Sequence, residues 1–303
     1  MWRRIGGVLV VVVFVLAAQT AVAGEELEEA ALDSEEIEGS AGVEEAEDQR
    51  FHHSSSLQIR ATPIGLSYFS NTSHRFSLWD SESPLLDGTY LGAGATTTLS
   101  PAFGWFGPYV EVLPVAVLRL RASLQVMSYY GNFGYLYVPE DGETWDDDAL
   151  DRAWDDSLGQ SATGWQAELE ATPQLLVAGV VFTAETSMRR IDMGTESAYY
   201  EPFLDLLLEP QDTVIITRPT VGYLLGSDPA RTHLLLGARY ERAMVRNADI
   251  TRETVGMVFS WRMPPSIVET GTPTLAGFGG LFMDHPTRGD WAPYFGMQAS
   301  VEF

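Results

Sequence analysis

The chain ends on WAPYFGMQASVEF, Trp291 to Phe303. Trp291, Phe295, Met297, Ala299, Val301 and Phe303 fall on one side of an extended strand, and Gly296, Gln298, Ser300 and Glu302 fall on the other. Side chains alternate across a strand with a period of two, so this stretch has one apolar and one polar face. An aromatic-rich apolar face opposite a polar one suits a strand standing between lipid and a polar interior. The same alternation recurs upstream. In Glu253 to Met263 the apolar set is Val255, Met257, Phe259, Trp261 and Met263, while Thr254, Gly256, Ser260 and Arg262 face the other way.

A chain that stops on the aromatic residue of such a strand resembles the terminal insertion signal of Gram-negative outer-membrane β-barrel proteins. The resemblance implies delivery by periplasmic chaperones, capture by the barrel-insertion machinery through the strand ending in Phe303, and contact with outer-membrane lipid and lipopolysaccharide. It selects no activity, because channels, enzymes and inert barrels share the signal. The other end of the chain agrees on location. Met1 to Arg4 is a basic head, Ile5 to Ala18 an apolar run, and Ala21-Val22-Ala23 a small-x-small cleavage site. Residues 1–23 therefore read as a signal peptide, with Gly24 as the first mature residue.

Composition excludes several chemistries. The chain has no cysteine, which removes lipoprotein acylation, disulfides, thiolate catalysis and cysteine-held metals. It has no lysine either, so Schiff-base chemistry is closed and the fixed side-chain cations are all arginine. Beyond the signal peptide no apolar run is long enough for a membrane helix. The net charge is −24, and twelve carboxylates with no basic residue lie between Glu25 and Asp48. Residues 24–56 read as an acidic, disordered periplasmic segment, either a spacer or an arm for a cationic partner or divalent ions. Nucleic acid is excluded as a partner because phosphate binding needs a basic surface.

Residues 57–303 read as an all-β, transmembrane, antiparallel up-and-down barrel of twelve strands, with ten as the next count. The clearest strands are Val117 to Tyr130, Thr163 to Thr172, Leu176 to Ser187, Thr213 to Tyr223, His233 to Glu241, Glu253 to Met263, Thr274 to Met283 and Trp291 to Phe303. Leu57 to Ser70 changes phase near Pro63, as a bulge would, and weaker strands follow at His74 to Asp80, Thr89 to Leu99 and Gly107 to Leu113. Glu140 to Gly159 and Arg189 to Gln211 then become extracellular loops, and Leu113 to Val115 and Thr172 to Gln174 periplasmic turns.

Turning each polar face inward lines the lumen with Arg60, Glu111, Arg119, Arg121, Gln125, Gln166, Glu168, Glu170, Glu185, Arg218, His233, Arg239, Glu241, Arg262 and Glu302. Glu111, Glu168 and Glu170 are expected beside Arg119 and Arg121, and Glu302 beside Arg60 where the barrel closes. Two readings follow. Either Arg119, Arg121, Arg218, Arg239 and Arg262 form a cationic ladder for an anionic solute, or arginines and glutamates neutralise one another and fill a narrow lumen near its periplasmic end. Ser187, Thr220, Gly222, His233 and Gly237 would leave a small pore through the upper half.

Other chemistry is sparser. Asp146, Asp147, Asp148 and Asp151 concentrate carboxylate oxygens that calcium would accept, without the helix-loop-helix spacing. The outer-membrane phospholipases and lipid A deacylases use a His-x-Ser pair, and His52-His53-Ser54-Ser55 offers one ahead of the first expected strand. Asp284 and His285, beside an extracellular turn, resemble the rim couple of the omptin proteases and would activate water as a general base. His74 and His233 read as wall residues. Trp165, Trp261, Trp291, Tyr129, Tyr130, Tyr199 and Tyr200 read as an interfacial girdle. No cofactor motif is present. The functional expectation is a narrow channel or solute-binding barrel, with a non-conducting adhesion barrel working through its loops and a rim hydrolase as alternatives.

Overall fold

The computed structural model describes residues 51–303 apart from 62–63, 80, 82, 87, 139–144, 229–231, 265–270 and 289–290. The signal peptide and the acidic segment as far as Arg50 lie outside the described residues. Twelve long strands follow one another as β1 (Phe51–Ala61), β2 (Ile64–Ser77), β3 (Tyr90–Leu99), β4 (Phe103–Val115), β5 (Leu118–Tyr130), β6 (Ser161–Val177), β7 (Val180–Asp192), β10 (Gln211–Asp228), β11 (Thr232–Val245), β12 (Ile250–Arg262), β13 (Thr272–Asp284) and β14 (Pro293–Glu302). The short pair β8 (Tyr199–Glu201) and β9 (Leu206–Leu208) lies between β7 and β10.

Among the described residues the long strands form one closed, wholly antiparallel barrel. Every strand pairs with its sequence neighbours, and β1 closes on β14 from Ser54 opposite Glu302 to Arg60 opposite Gly296. An unpaired amide or carbonyl in hydrocarbon costs several kcal/mol, so a lipid-facing sheet is stable only without edges. The even strand number puts both ends of the barrel chain at one rim, and the two longest connections, 131–160 and 193–210, leave from the other. This is the architecture of an outer-membrane β-barrel.

Side-chain alternation separates the two environments. Met257, on the outer face of β12, is 65% exposed, whereas Trp105, on the inner face of β4, is 4% exposed. In the terminal strand Phe295, Met297, Ala299, Val301 and Phe303 face out, in the sense read from sequence. Gly296 faces the lumen, where a Cβ would fall 2.3 Å from the Phe278 ring; glycine here makes room for that ring.

Several boundaries differ from the sequence reading. Leu57 to Ser70 is not one bulged strand: the phase change marks the turn between β1 and β2, and His74 to Ser77 ends β2. Phe51 to Ser56, assigned to the acidic segment, belong to β1. Leu113 to Val115 and Thr172 to Gln174 are strand rather than turn. The chain reverses instead at Ala178 and Gly179, with φ of 51° and 83°, the left-handed pair of a two-residue hairpin. Pro173, which suggested a turn, lies opposite Leu118 where the β5 pairing starts, at a margin that tolerates the missing N–H.

The outer face gives the first prediction. Met257→Arg should destabilise the folded barrel by about 2–4 kcal/mol, the penalty for arginine near the bilayer midplane. Reversible urea unfolding in lipid vesicles measures it, and a change below about 0.5 kcal/mol would contradict the assignment of that face to lipid.

Candidate functional site

The connection between β7 and β10 does not stand in solvent. It folds inward as the β8–β9 hairpin, and Tyr199, Glu201, Leu206 and Leu208 are fully buried. Its apolar side packs with Phe103, Trp105, Met127, Tyr129, Val214, Ile216, Ala243 and Val245 from the inner wall, so the extracellular half of the barrel has a hydrophobic core. The tip residue Phe203 meets Trp105 edge-on, with centroids 4.7 Å apart, and reaches Phe69 across the lumen. The preceding loop lies over this layer: Tyr200 donates its amide to the Tyr137 carbonyl, and Tyr137 packs against Ala149 and Ala153 of α1 (Asp147–Asp155).

Polar contacts seat the hairpin on the opposite wall. Arg60 donates to the carbonyls of Phe203 and Pro202 at 2.6 and 2.9 Å, and Arg252 donates to that of Leu204. Asp205 is the latch. One of its oxygens accepts from His285 Nε2 at 3.0 Å and from Arg288 Nε at 3.1 Å, and the other accepts from the Tyr200 hydroxyl. His285 Nδ1 accepts from the amides of Thr287 and Arg288, which leaves the proton on Nε2, pointing at Asp205. Burial alone would raise the Asp205 carboxyl, but the His285 hydrogen bond and the Arg288 charge outweigh it and hold the group well below the usual carboxylate range. Glu201 is the opposite case. Burial dominates and raises its carboxyl, against hydrogen bonds from Tyr129 and from the amides of Leu204 and Phe203.

Beneath the hairpin runs a belt of charge. Arg119 pairs with Glu170 at 2.7 Å, Arg189 with Glu168 at 2.7 Å, and Arg218 with Glu185 at 2.6 Å and Glu241 at 2.5 Å. Glu241 also takes Arg252, and Glu111 lies 3.7 Å from Arg75 and accepts from Tyr90. Among the described residues, Arg121, Arg239 and Arg262 are met by neutral groups. Arg121 donates to Asn71 and lies over the Tyr109 ring, Arg239 donates to Thr220, and Arg262 to Thr272. Gln166 donates to Gln125 within the same wall.

The expected ladder thus divides: Arg119 and Arg218 are consumed by carboxylates, and Arg121, Arg239 and Arg262 are not. The expected Arg60–Glu302 pair does not form, because antiparallel closure puts the two at opposite ends of β1; Glu302 bonds His52 instead. The upper half is not the open part. Thr220, Gly222, His233 and Gly237 lie toward the periplasmic ends of β10 and β11, and Ser187 is buried. Tyr129, Tyr199 and Tyr200 are interior rather than girdle, while Trp165, Trp261, Trp291 and Tyr130 are exposed. His285 contacts Asp205, not Asp284, and both its nitrogens are engaged. The His52-His53-Ser54-Ser55 run is part of β1, where His53 bonds Ser55 at 2.9 Å and Thr72 at 2.8 Å. Asp146 caps α1 by accepting from Ala149, Asp148 and Asp151 lie on the exposed side of that helix, and no cluster of three metal-ligating side chains occurs among the described residues. Sequence reading missed Arg75, Arg189, Arg252, Glu201 and Asp205. Arg189 was legible as the inward member of an adjacent pair on a strand, but the hairpin acids carried no such signal.

Two expectations follow. Arg218→Met leaves two half-buried carboxylates short of a partner and should cost about 1.5–3 kcal/mol. Adding Glu185→Gln should recover part of it, because Glu241 keeps Arg252; urea unfolding of both variants checks the pairing. The hairpin should also respond to pH. The Asp205 contribution is present above its ordinary value of 3.8 and is lost as pH falls below it. The Glu201 contribution is present below its ordinary value of 4.5 and is lost as pH rises through the raised one. Hydrogen exchange of amides 199–208, corrected for intrinsic rates, should therefore be slowest between these limits. Glu201→Gln should remove the alkaline loss, and a profile identical to wild type would refute that role.

No protein-family model matches the chain, and no curated protein matches it in sequence. Several solved structures align with most of the chain at TM-scores below 0.5. An outer-membrane channel from Pseudomonas putida F1 is similar over 88% of this chain and 100% of its own, with 11% identity and a TM-score of 0.47. The KdgM porin aligns over 83% and 98%, with 7% identity and a TM-score of 0.39. LpxR from Salmonella typhimurium aligns over 83% and 99%, with 10% identity and a TM-score of 0.39.

Proposed function

We propose that the protein is a narrow outer-membrane channel for small anionic solutes, closed at its extracellular mouth by the β8–β9 hairpin. The observation that carries this reading is the charge of the lumen below the hairpin. In a chain of net charge −24, the inner wall there presents Arg75, Arg119, Arg121, Arg189, Arg218, Arg239 and Arg262. Facing them are Glu111, Glu168, Glu170, Glu185, Glu241 and Glu302. Paired charges fix the wall, and Arg121, Arg239 and Arg262, bonded only to neutral groups in the described lumen, remain available to an anion. Rings of charged side chains set selectivity in narrow pores. Guanidinium suits this role because it stays charged when partly desolvated and offers a planar fork to a carboxylate or phosphate.

The hairpin closes the extracellular mouth: it is anchored at both ends in β7 and β10, its apolar side packs into the core of the wall, and hydrogen bonds and one latch hold its tip. A rim hydrolase gains no support from Asp284 and His285, since the imidazole is buried and faces a carboxylate already shared with Arg288.

Planar-bilayer recording of the refolded barrel tests the reading. Replacing residues 197–207 with a short Gly-Ser linker should raise conductance several-fold over the intact protein. In that background, Arg121→Gln with Arg239→Gln should move the reversal potential toward cation selectivity. A linker variant that folds yet does not conduct, or a reversal potential indifferent to both arginines, would overturn the proposal.

A further inference from the structure

The lipid-facing surface carries its own arginines, and their placement is uneven. Every other arginine on the described strands faces the lumen. Arg190 and Arg242 lie on the outer faces of β7 and β11, and Arg246 continues the outer face of β11 beyond the strand end. All three are exposed and all lie toward the extracellular rim of adjoining strands. Arg190 is directly opposite Thr213 on β10, and the Arg246 amide donates to the carbonyl of that same Thr213. Two arginines therefore stand directly across from one threonine, on three neighbouring chain segments set about 4.8 Å apart.

The partners of this pair are neutral. Arg190 donates to Thr213 Oγ1 and Gln211 Oε1, both at 3.3 Å, which holds its fork along the wall. Among the described residues neither Arg190 nor Arg246 forms an ion pair. Arg242 differs, with Glu253 at 3.4 Å, and Asp192 is occupied by Gln211 and the Gly194 amide. Exposed Trp165, opposite Asp192 on the next strand, marks the level at which aromatic side chains sit between hydrocarbon and headgroups. Charge on a lipid face is tolerated at that level and penalised at the midplane.

We infer that Arg190, Arg246 and Thr213 form a binding site for the phosphate of an outer-leaflet glycolipid, the lipid A part of lipopolysaccharide. Arginine binds phosphate oxygens through two parallel N–H bonds, and the threonine hydroxyl supplies a third donor between the two forks. The inference rests on the outer-membrane location proposed above but not on conduction.

Native mass spectrometry of the refolded full-length mature barrel, loaded with bisphosphorylated lipid A, dephosphorylated lipid A or phosphatidylglycerol, tests it. Bisphosphorylated lipid A should be retained by the wild type. Arg190→Gln with Arg246→Gln should lower retention at least tenfold, and dephosphorylated lipid A should be held no better by either form. Equal retention by the double variant, or phosphatidylglycerol held as firmly as lipid A, would overturn the site. Location is read separately, from protease access to the 131–160 loop on intact cells. An inaccessible loop together with arginine-dependent lipid A binding would overturn the location and leave the phosphate chemistry standing.

Discussion

In hydrocarbon no water is present to satisfy an open amide, and every other feature of this molecule depends on how the chain meets that constraint. Closure of β1 on β14 leaves the wall without a sheet edge among the described residues. Closure also forces alternation to mean one thing throughout. Once one strand has an outside, each neighbour's register determines which of its residues share that outside, and the division runs unbroken from Phe303 around to His53.

The wall creates a second problem in the space it encloses. The lumen brings charged side chains to close quarters, and the chain settles them differently at the two ends. Toward the extracellular rim it imports a hydrophobic layer, using the β8–β9 hairpin and wall aromatics such as Phe103 and Trp105. Lower down it retains charge and compensates it, Arg218 between Glu185 and Glu241 being the tightest case. The two regimes meet at Arg60 and Arg252, wall cations that serve the hairpin by capturing its carbonyls. Burial raises both of the hairpin's acids, and they end on opposite sides of their ordinary values because their neighbours differ: Asp205 has an arginine and an imidazole, whereas Glu201 has chiefly a phenol and backbone amides.

Much of the wall is legible in the residues alone. Strand number, the lipid face of β12 and β14, and the inward direction of Arg119, Arg121, Arg218, Arg239 and Arg262 follow from period-two patterning. Partnerships are less accessible. Arg60 and Glu302 are both inward on adjoining strands, yet antiparallel register separates them by the length of the pairing. Tyr199 and Tyr200 look like girdle residues, since amphipathic aromatics near a strand end carry the same local signature whether they face lipid or a plug. Pro173 argues for a turn that Ala178 and Gly179 make instead, because a proline at the margin of a pairing loses little.

The sequence by itself determined the class of environment along the most regular strands, such as β12 and β14, since alternation is a local property that needs no knowledge of neighbours. It also determined the chemical vocabulary of the lumen, with arginine as its fixed cation and no thiol. Tertiary structure alone decided that the 193–210 connection turns inward, that His285 serves Asp205 rather than Asp284, and that Arg190 and Arg246 stand on either side of Thr213. Each of those outcomes brings together residues on different strands or loops, and such distances are set by register, shear and the path of a loop, none of which leaves a periodic trace in the residues themselves.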